Sequence, residues 1–208
     1  MAQILKFPAQ ASKLGYKRVR KRKSAEGQNQ LDLFATPTAQ ILDLESGLSR
    51  FERALLLDER GDPRAAEFYT KAIEELDCVA DAYCNLGIIE SQKGNTSKAF
   101  DCFTVCLKHD PRHSEAHYNL GNLYFDVNDF RLAQTHYEMA REVDSSFANI
   151  YFNLALVQAI NKDFAGAVDA LNKYRELVSE AEGRIAEELL QNLQKCLDAT
   201  RNSRTGTA

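Results

Sequence analysis

From about Leu42 onward, apolar residues return with the 3.6-residue beat of amphipathic helices, and the whole pattern recurs every 34 residues. In that register Tyr83, His117 and Tyr151 align, followed by Asn85, Asn119 and Asn153, then Leu86, Leu120 and Leu154, then Gly87, Gly121 and Ala155. Twelve residues further on, Ala99, Ala133 and Ala167 fall in step, followed by Phe103, Tyr137 and Leu171, with Pro111, Ser145 and Ser179 closing the blocks. Each block reads as helix, turn, helix, with the turn at Gly94-Asn95, Asn128-Asp129 and Lys162-Asp163. The pattern predicts hairpins over 80–113, 114–147 and 148–181. Small residues at the eighth and twentieth positions allow two helices to approach closely, and the aromatics fill the remaining space. One such hairpin cannot bury its apolar face, so neighbouring hairpins must supply the core.

The flanks depart from the repeat. Leu44, Leu48, Phe51 and Leu55 predict a helix from about Leu42 to Glu59, closed by Gly61, with Pro63 suited to the first turn of the next helix. Ala65, Tyr69 and Ala72 then match the small, aromatic and small positions, which makes 38–79 a divergent first hairpin. After Ser179 the phase is lost, but Ile185, Leu189, Leu193 and Leu197 predict a capping helix over 182–201, with 202–208 frayed. Residues 1–37 show no sustained periodicity and are expected to be disordered.

Charge sharpens this division. Residues 1–40 carry eight Lys or Arg against Glu26 and Asp32, a net of +6, while the remainder carries −10 of the overall −4. A basic tail is thus attached to an acidic body. No apolar run has the length of a membrane span, the N-terminus lacks the apolar stretch of a secretory signal, and five scattered cysteines suit a reducing compartment. A cytoplasmic location is expected. His109, His113 and His117 are spaced by four, but Pro111 interrupts the helix that would align them, and Cys102, Cys106 and His109 share a face on which Cys106 takes a small core position. With no phosphate-binding glycine loop, nucleophile elbow or His–Cys pair in the sequence, the expectation is no enzyme, no cofactor and no metal.

The Tyr/Asn/Leu/Gly cluster followed by Ala, aromatic, Ala and Pro resembles the tetratricopeptide repeat, most closely in Tyr118-Asn119-Leu120-Gly121-Asn122-Leu123-Tyr124 with Ala133, Tyr137 and Ala140. The resemblance implies an all-α fold, a right-handed superhelical solenoid of about four hairpins with a capping helix, acting as a protein-interaction scaffold or adaptor. It further implies that first helices line a concave groove for an extended peptide or a partner helix, here through Asn85, Ile88, Tyr118, Asn119, Asn122, Asp126, Asn149, Phe152, Asn153 and Leu156. Three asparagines one repeat apart are similar to the ladder by which the repeats of O-linked N-acetylglucosamine transferase hold peptide backbones. A carboxamide donates and accepts at once, as an extended backbone requires. The groove Lys and Arg with which chaperone-adaptor members grip a C-terminal carboxylate are missing, whereas Asp81, Glu115 and Asp126 are present, so a neutral to basic peptide is the expected ligand.

Two tail motifs offer an alternative. Gln30-Leu31-Asp32-Leu33-Phe34 resembles the short peptide by which bacterial polymerases and repair proteins hold the sliding clamp, with Leu31, Leu33 and Phe34 as apolar anchors and Gln30 at the rim. Lys17, Arg18, Arg20, Lys21, Arg22 and Lys23 form a block that attracts nucleic-acid phosphates. Together they describe an accessory protein of DNA replication, repair or transcription. The same charge asymmetry supports a third arrangement, in which the tail docks into the protein's own acidic groove through a linker spanning on the order of 25 Å.

Overall fold

The computed structural model describes residues 13–20 and 47–205, with side chains to residue 198. The described residues are all-α apart from turns and one extended segment. In chain order the helices are α1 (Arg50–Glu59), α2 (Ala65–Glu74), α3 (Val79–Gln92), α4 (Thr96–His109), α5 (Ser114–Asp126), α6 (Phe130–Val143), α7 (Ala148–Ile160), α8 (Phe164–Leu177) and α9 (Glu180–Thr205). They fall into two compact units. One holds residues 18–109 with α1 to α4, and the other holds residues up to 17 together with 110–208, which include α5 to α9.

Every hairpin turns by the same device. The residue that ends the first helix of each pair is left-handed: Gly61, Gly94, Asn128 and Lys162 have φ of 68°, 80°, 63° and 67°. The next amide then reaches back five residues, as in Asn95 N to Glu90 O at 2.9 Å, Asp129 N to Tyr124 O at 2.9 Å and Asp163 N to Gln158 O at 2.8 Å. This pairing satisfies helix-end carbonyls that would otherwise lack donors. Asp129 and Asp163 go on to cap the following helices by accepting from Leu132 N and Gly166 N. Ser49 with Glu52, and Ser179 with Glu182, form reciprocal caps that set where α1 and α9 begin. α1 accordingly starts at Arg50, residues 42–46 of the expected helix lie outside the described residues, and Pro63 lies in the turn before α2.

Close approach within the pairs explains the small residues. A Cβ added at Gly121 would lie 2.6 Å from the Tyr137 ring, and one at Gly87 would lie 2.7 Å from the Phe103 ring. The aromatic of each second helix therefore occupies the space that the glycine of the first leaves open. In the unit of α5 to α9, Tyr118, Ala133, Tyr137, Ala140, Ile150, Leu154 and Val157 form one core cluster. Tyr151, Phe152, Leu156, Leu171, Tyr174, Ala186, Leu189 and Leu193 belong to a second, which α9 closes. In the other unit Phe51, Ala54, Tyr69, Ala72, Ala82 and Phe103 are buried.

The capping helix differs from its expected face. Ala186, Leu189 and Leu193 are buried, whereas Ile185 is 60% exposed, because the contact stripe follows the 186/189/193 spacing, one residue out of step with Ile185. The helix also continues to Thr205, past the expected end at 201.

Candidate peptide-binding site

The tail is where the expectation of disorder over 1–37 fails in part. Residues 13–20 form an arm outside regular secondary structure; Asn119 and Asn153 bond to it in the unit of α5 to α9, and Asn85 bonds to it in the unit of α1 to α4. The three asparagines repeat one bonding pattern. In the unit of α5 to α9, Leu14 N–H donates to Asn153 Oδ1 at 2.7 Å, and Asn153 Nδ2 donates to the Leu14 carbonyl at 3.1 Å. Lys17 N–H donates to Asn119 Oδ1 at 3.0 Å, and Asn119 Nδ2 returns a bond to the Lys17 carbonyl at 3.0 Å. In the unit of α1 to α4, Val19 N–H and C=O pair with Asn85 Oδ1 and Nδ2 at 2.9 and 3.1 Å. Each carboxamide thus satisfies both polar groups of one residue, as a neighbouring β-strand would.

Buried hydroxyls fix the carboxamides. The Tyr118 hydroxyl lies 2.9 and 2.8 Å from the Leu14 and Gly15 carbonyls and accepts from Asn153 Nδ2 at 3.0 Å. Tyr137 donates to Asn122 Oδ1 at 2.8 Å, and the same oxygen lies 2.9 Å from Asn153 Nδ2. In the other unit Asn85 Nδ2 donates to the Tyr69 hydroxyl at 3.1 Å, and Tyr69 donates to Asp58 at 3.3 Å. Burial raises the pKa of Tyr69, Tyr118 and Tyr137, so all three stay protonated and able to donate.

Side chains of the arm find complementary partners within each unit. Leu14 packs against the core cluster that contains Phe152 and Leu156. Lys13 pairs with Asp126 at 3.2 Å. The Lys17 ammonium bonds to Asp144 at 2.7 Å, lies 3.7 Å from Glu115, and sits 4.1 Å from the centre of the Phe147 ring. Arg18 pairs with Asp58 and reaches Gln92 at 3.3 Å, and Val19 is 1% exposed. Burial pushes the Asp144 carboxyl up, but the hydrogen bonds from Lys17 and Ser146 outweigh it and leave the group below its ordinary value.

The residues expected in the groove therefore divide. Asn85, Asn119, Asn122, Tyr118 and Asn153 are fully buried, and all but Asn122 make close bonds to the arm; Asn122 Nδ2 lies 3.5 Å from the Gly15 carbonyl. Asp126 is exposed and pairs with Lys13, and Asn149 is half-buried. Ile88, Phe152 and Leu156 are buried, the last two in the core cluster that α9 closes. Lys17 and Arg18, expected at nucleic-acid phosphates, are paired with the protein's own carboxylates, while Arg20 is exposed. Lys21, Arg22 and Lys23, like Gln30, Leu31, Leu33 and Phe34 of the clamp-like motif, lie outside the described residues. Sequence reasoning missed the support: Tyr69 and Tyr137, Asp58 and Asp144, and Phe147. A signal was present in the aromatic repeat position, where Tyr69 and Tyr137 carry a hydroxyl that Phe103 and Leu171 lack.

Comparison with known proteins agrees with the fold of paired helices. Two tetratricopeptide repeat family models match, one over residues 80–113 and the other over 118–182. These hairpins are tetratricopeptide repeats. Human tetratricopeptide repeat protein 6 is 26% identical over 110 residues, which are 53% of this chain and 21% of that protein, so the chain spans about a fifth of its curated relative. Among solved structures, the first tetratricopeptide domain of Spaghetti (RPAP3), bound to the HSP90 peptide SRMEEVD, superposes with a TM-score of 0.53 at 20% identity, over 57% of this chain and 93% of that one. MamA 41-end from Desulfovibrio magneticus RS-1 gives a TM-score of 0.55 at 17% identity over 76% and 96% of the two chains. At these identities the likeness is one of fold. Among the described residues no helix is long and apolar enough to cross a membrane.

Proposed function

We propose that this tetratricopeptide repeat protein is a non-enzymatic interaction scaffold whose asparagines hold the main chain of an extended peptide. The observation that carries this reading is the reciprocal carboxamide pairing at Leu14, Lys17 and Val19. Such pairing depends on backbone groups that every extended peptide has, and the flanking side chains then supply selectivity. The seat in the unit of α5 to α9 suits a neutral to basic segment, because Glu115, Asp126 and Asp144 meet Lys13 and Lys17. The SRMEEVD peptide of the Spaghetti structure, with two Glu and one Asp, has the opposite character.

In this reading the arm occupies the seat until a partner peptide displaces it. A tethered segment acts at an effective concentration of about millimolar, so a competitor must approach that level to displace it. The test is amide exchange of the intact chain with a synthetic peptide of residues 13–20 added at rising concentration. Loss of protection at the chain's own Leu14 and Lys17 amides, with α5 to α8 unchanged, is the expected result. Protection that persists at saturating peptide contradicts the reading.

A further inference from the structure

Of the arm's side chains, Lys17 has the most complete surroundings within one unit. Asn119 fixes its backbone at both polar groups, so the start of the side chain is set before the ammonium finds a partner. The ammonium then meets an acceptor already oriented. Asp144 closes α6, and its Oδ1 accepts from Ser146 N at 3.0 Å and Ser146 Oγ at 2.6 Å, which leaves Oδ2 turned to Lys17 at 2.7 Å. Phe147, the residue before α7, offers a ring face at 4.1 Å, and Tyr118 holds that ring edge-on with centroids 5.0 Å apart. Glu115 adds a second carboxylate at 3.7 Å. Lys17 retains 21% side-chain exposure, Glu115 17% and Asp144 30%, so the charges are partly shielded from water.

Two carboxylates and an aromatic face suit a compact, fully charged ammonium. An acetylated lysine, which keeps the stem but loses the charge and two of its three donors, would give up the ion pair with Asp144 at 2.7 Å and the attraction of Glu115 at 3.7 Å. Three residues earlier, Leu14 settles on the core cluster of α7, α8 and α9, which places an aliphatic requirement at a fixed distance from the lysine.

We propose that Glu115, Asp144 and Phe147 form a lysine-reading subsite, and that the partner is an extended protein segment carrying an unmodified lysine three residues after a leucine-sized aliphatic residue. The proposal rests on the scaffold reading above and adds the class of ligand. Lysine acetylation on such a partner then acts as a release signal.

The experiment uses the full chain with its own arm disabled by Leu14→Asp and Lys17→Glu, folding being checked by circular dichroism. Fluorescence anisotropy follows three synthetic peptides of residues 13–20: unmodified, acetylated at the position of Lys17, and acetylated at the position of Lys13. The middle peptide is expected to bind about tenfold more weakly than the first, as loss of a charge-assisted hydrogen bond gives. The third should lose no more than about threefold, because Lys13 pairs with an Asp126 that is 48% exposed, and its other contact, the Tyr16 ring at 5.4 Å, belongs to the same peptide. Asp144→Asn in the same chain should bring the first two peptides close together. If both acetylated peptides bind like the unmodified one while Asn119→Ala weakens all three, the lysine proposal falls and the scaffold reading stands. If Asn119→Ala changes none of them, or no peptide binds, the scaffold reading falls with it.

Discussion

Replacing Asn119 with alanine tests the asparagine ladder at its clearest rung. The Asn119 carboxamide bonds to the Lys17 N–H and C=O, both at 3.0 Å, in a position with no solvent exposure. Each such bond contributes about 1 kcal/mol net, so the variant should weaken arm docking by about 2 kcal/mol, or about 30-fold in the docked-to-free ratio. Leu14 remains tied to Asn153 and the Lys17 ammonium to Asp144, so the arm loosens without leaving altogether. Hydrogen exchange by NMR reads this directly. The Lys17 amide should exchange about 30-fold faster in the variant, while amides in the middle of α6 and α8 keep their rates. An unchanged Lys17 rate would refute the reasoning. A uniform acceleration across α5 to α8 would assign Asn119 to the core instead.

Other predictions follow from the helix pairs and the histidines. Gly121→Ala forces a methyl to within 2.6 Å of Tyr137, so thermal unfolding should show a loss of about 1–2 kcal/mol even though alanine favours helix. Lys162→Gly relieves a left-handed lysine at φ 67° and should raise stability by about 0.5–1 kcal/mol in denaturant titration. His117 Nε2 lies 3.1 Å from the Pro111 carbonyl and so carries the proton, which makes its Nδ1 the acceptor of the His136 Nδ1–H at 3.1 Å. Burial first, and then His117, depress the His136 pKa from 6.5 to about 4. The unfolded chain therefore binds the extra proton in that window. Stability is complete above about pH 6.5 and declines as pH falls to about 4, by on the order of 1–2 kcal/mol after allowance for partial exposure. His136→Gln should flatten the melting-temperature profile across that range, and an unaltered profile would remove this pair from the account.

Much of the repeat fold was legible because it is written in small and aromatic residues at fixed intervals. Gly121 and Tyr137 declare their contact by type alone, and the turn residues Gly94 and Asn128 declare a left-handed backbone. Lys162 takes the same backbone with nothing in its chemistry to announce it, since the repeat imposes it. The start of α1 was misplaced because the apolar beat in the sequence runs through Leu48, before the Ser49–Glu52 cap that begins the helix. The asparagines were legible as a ladder, but their occupant was not. Residues 13–20 carry no period of their own, and their extended form comes from partners more than 60 residues away in sequence, as in Val19 with Asn85 at a separation of 66. Asp144 and Phe147 were missed because they sit in a loop whose position beside Lys17 only the packed hairpins create.

The central claim is that the asparagine side chains grip an extended main chain, and the most direct measurement is a nuclear Overhauser spectrum of the intact protein with the Asn side-chain amides assigned. Cross-peaks from Asn153 Nδ2 hydrogens to Leu14, from Asn119 to Lys17 and from Asn85 to Val19 are the predicted result. Side-chain amides that show no arm contacts and exchange with water at the rate of a free carboxamide would contradict it.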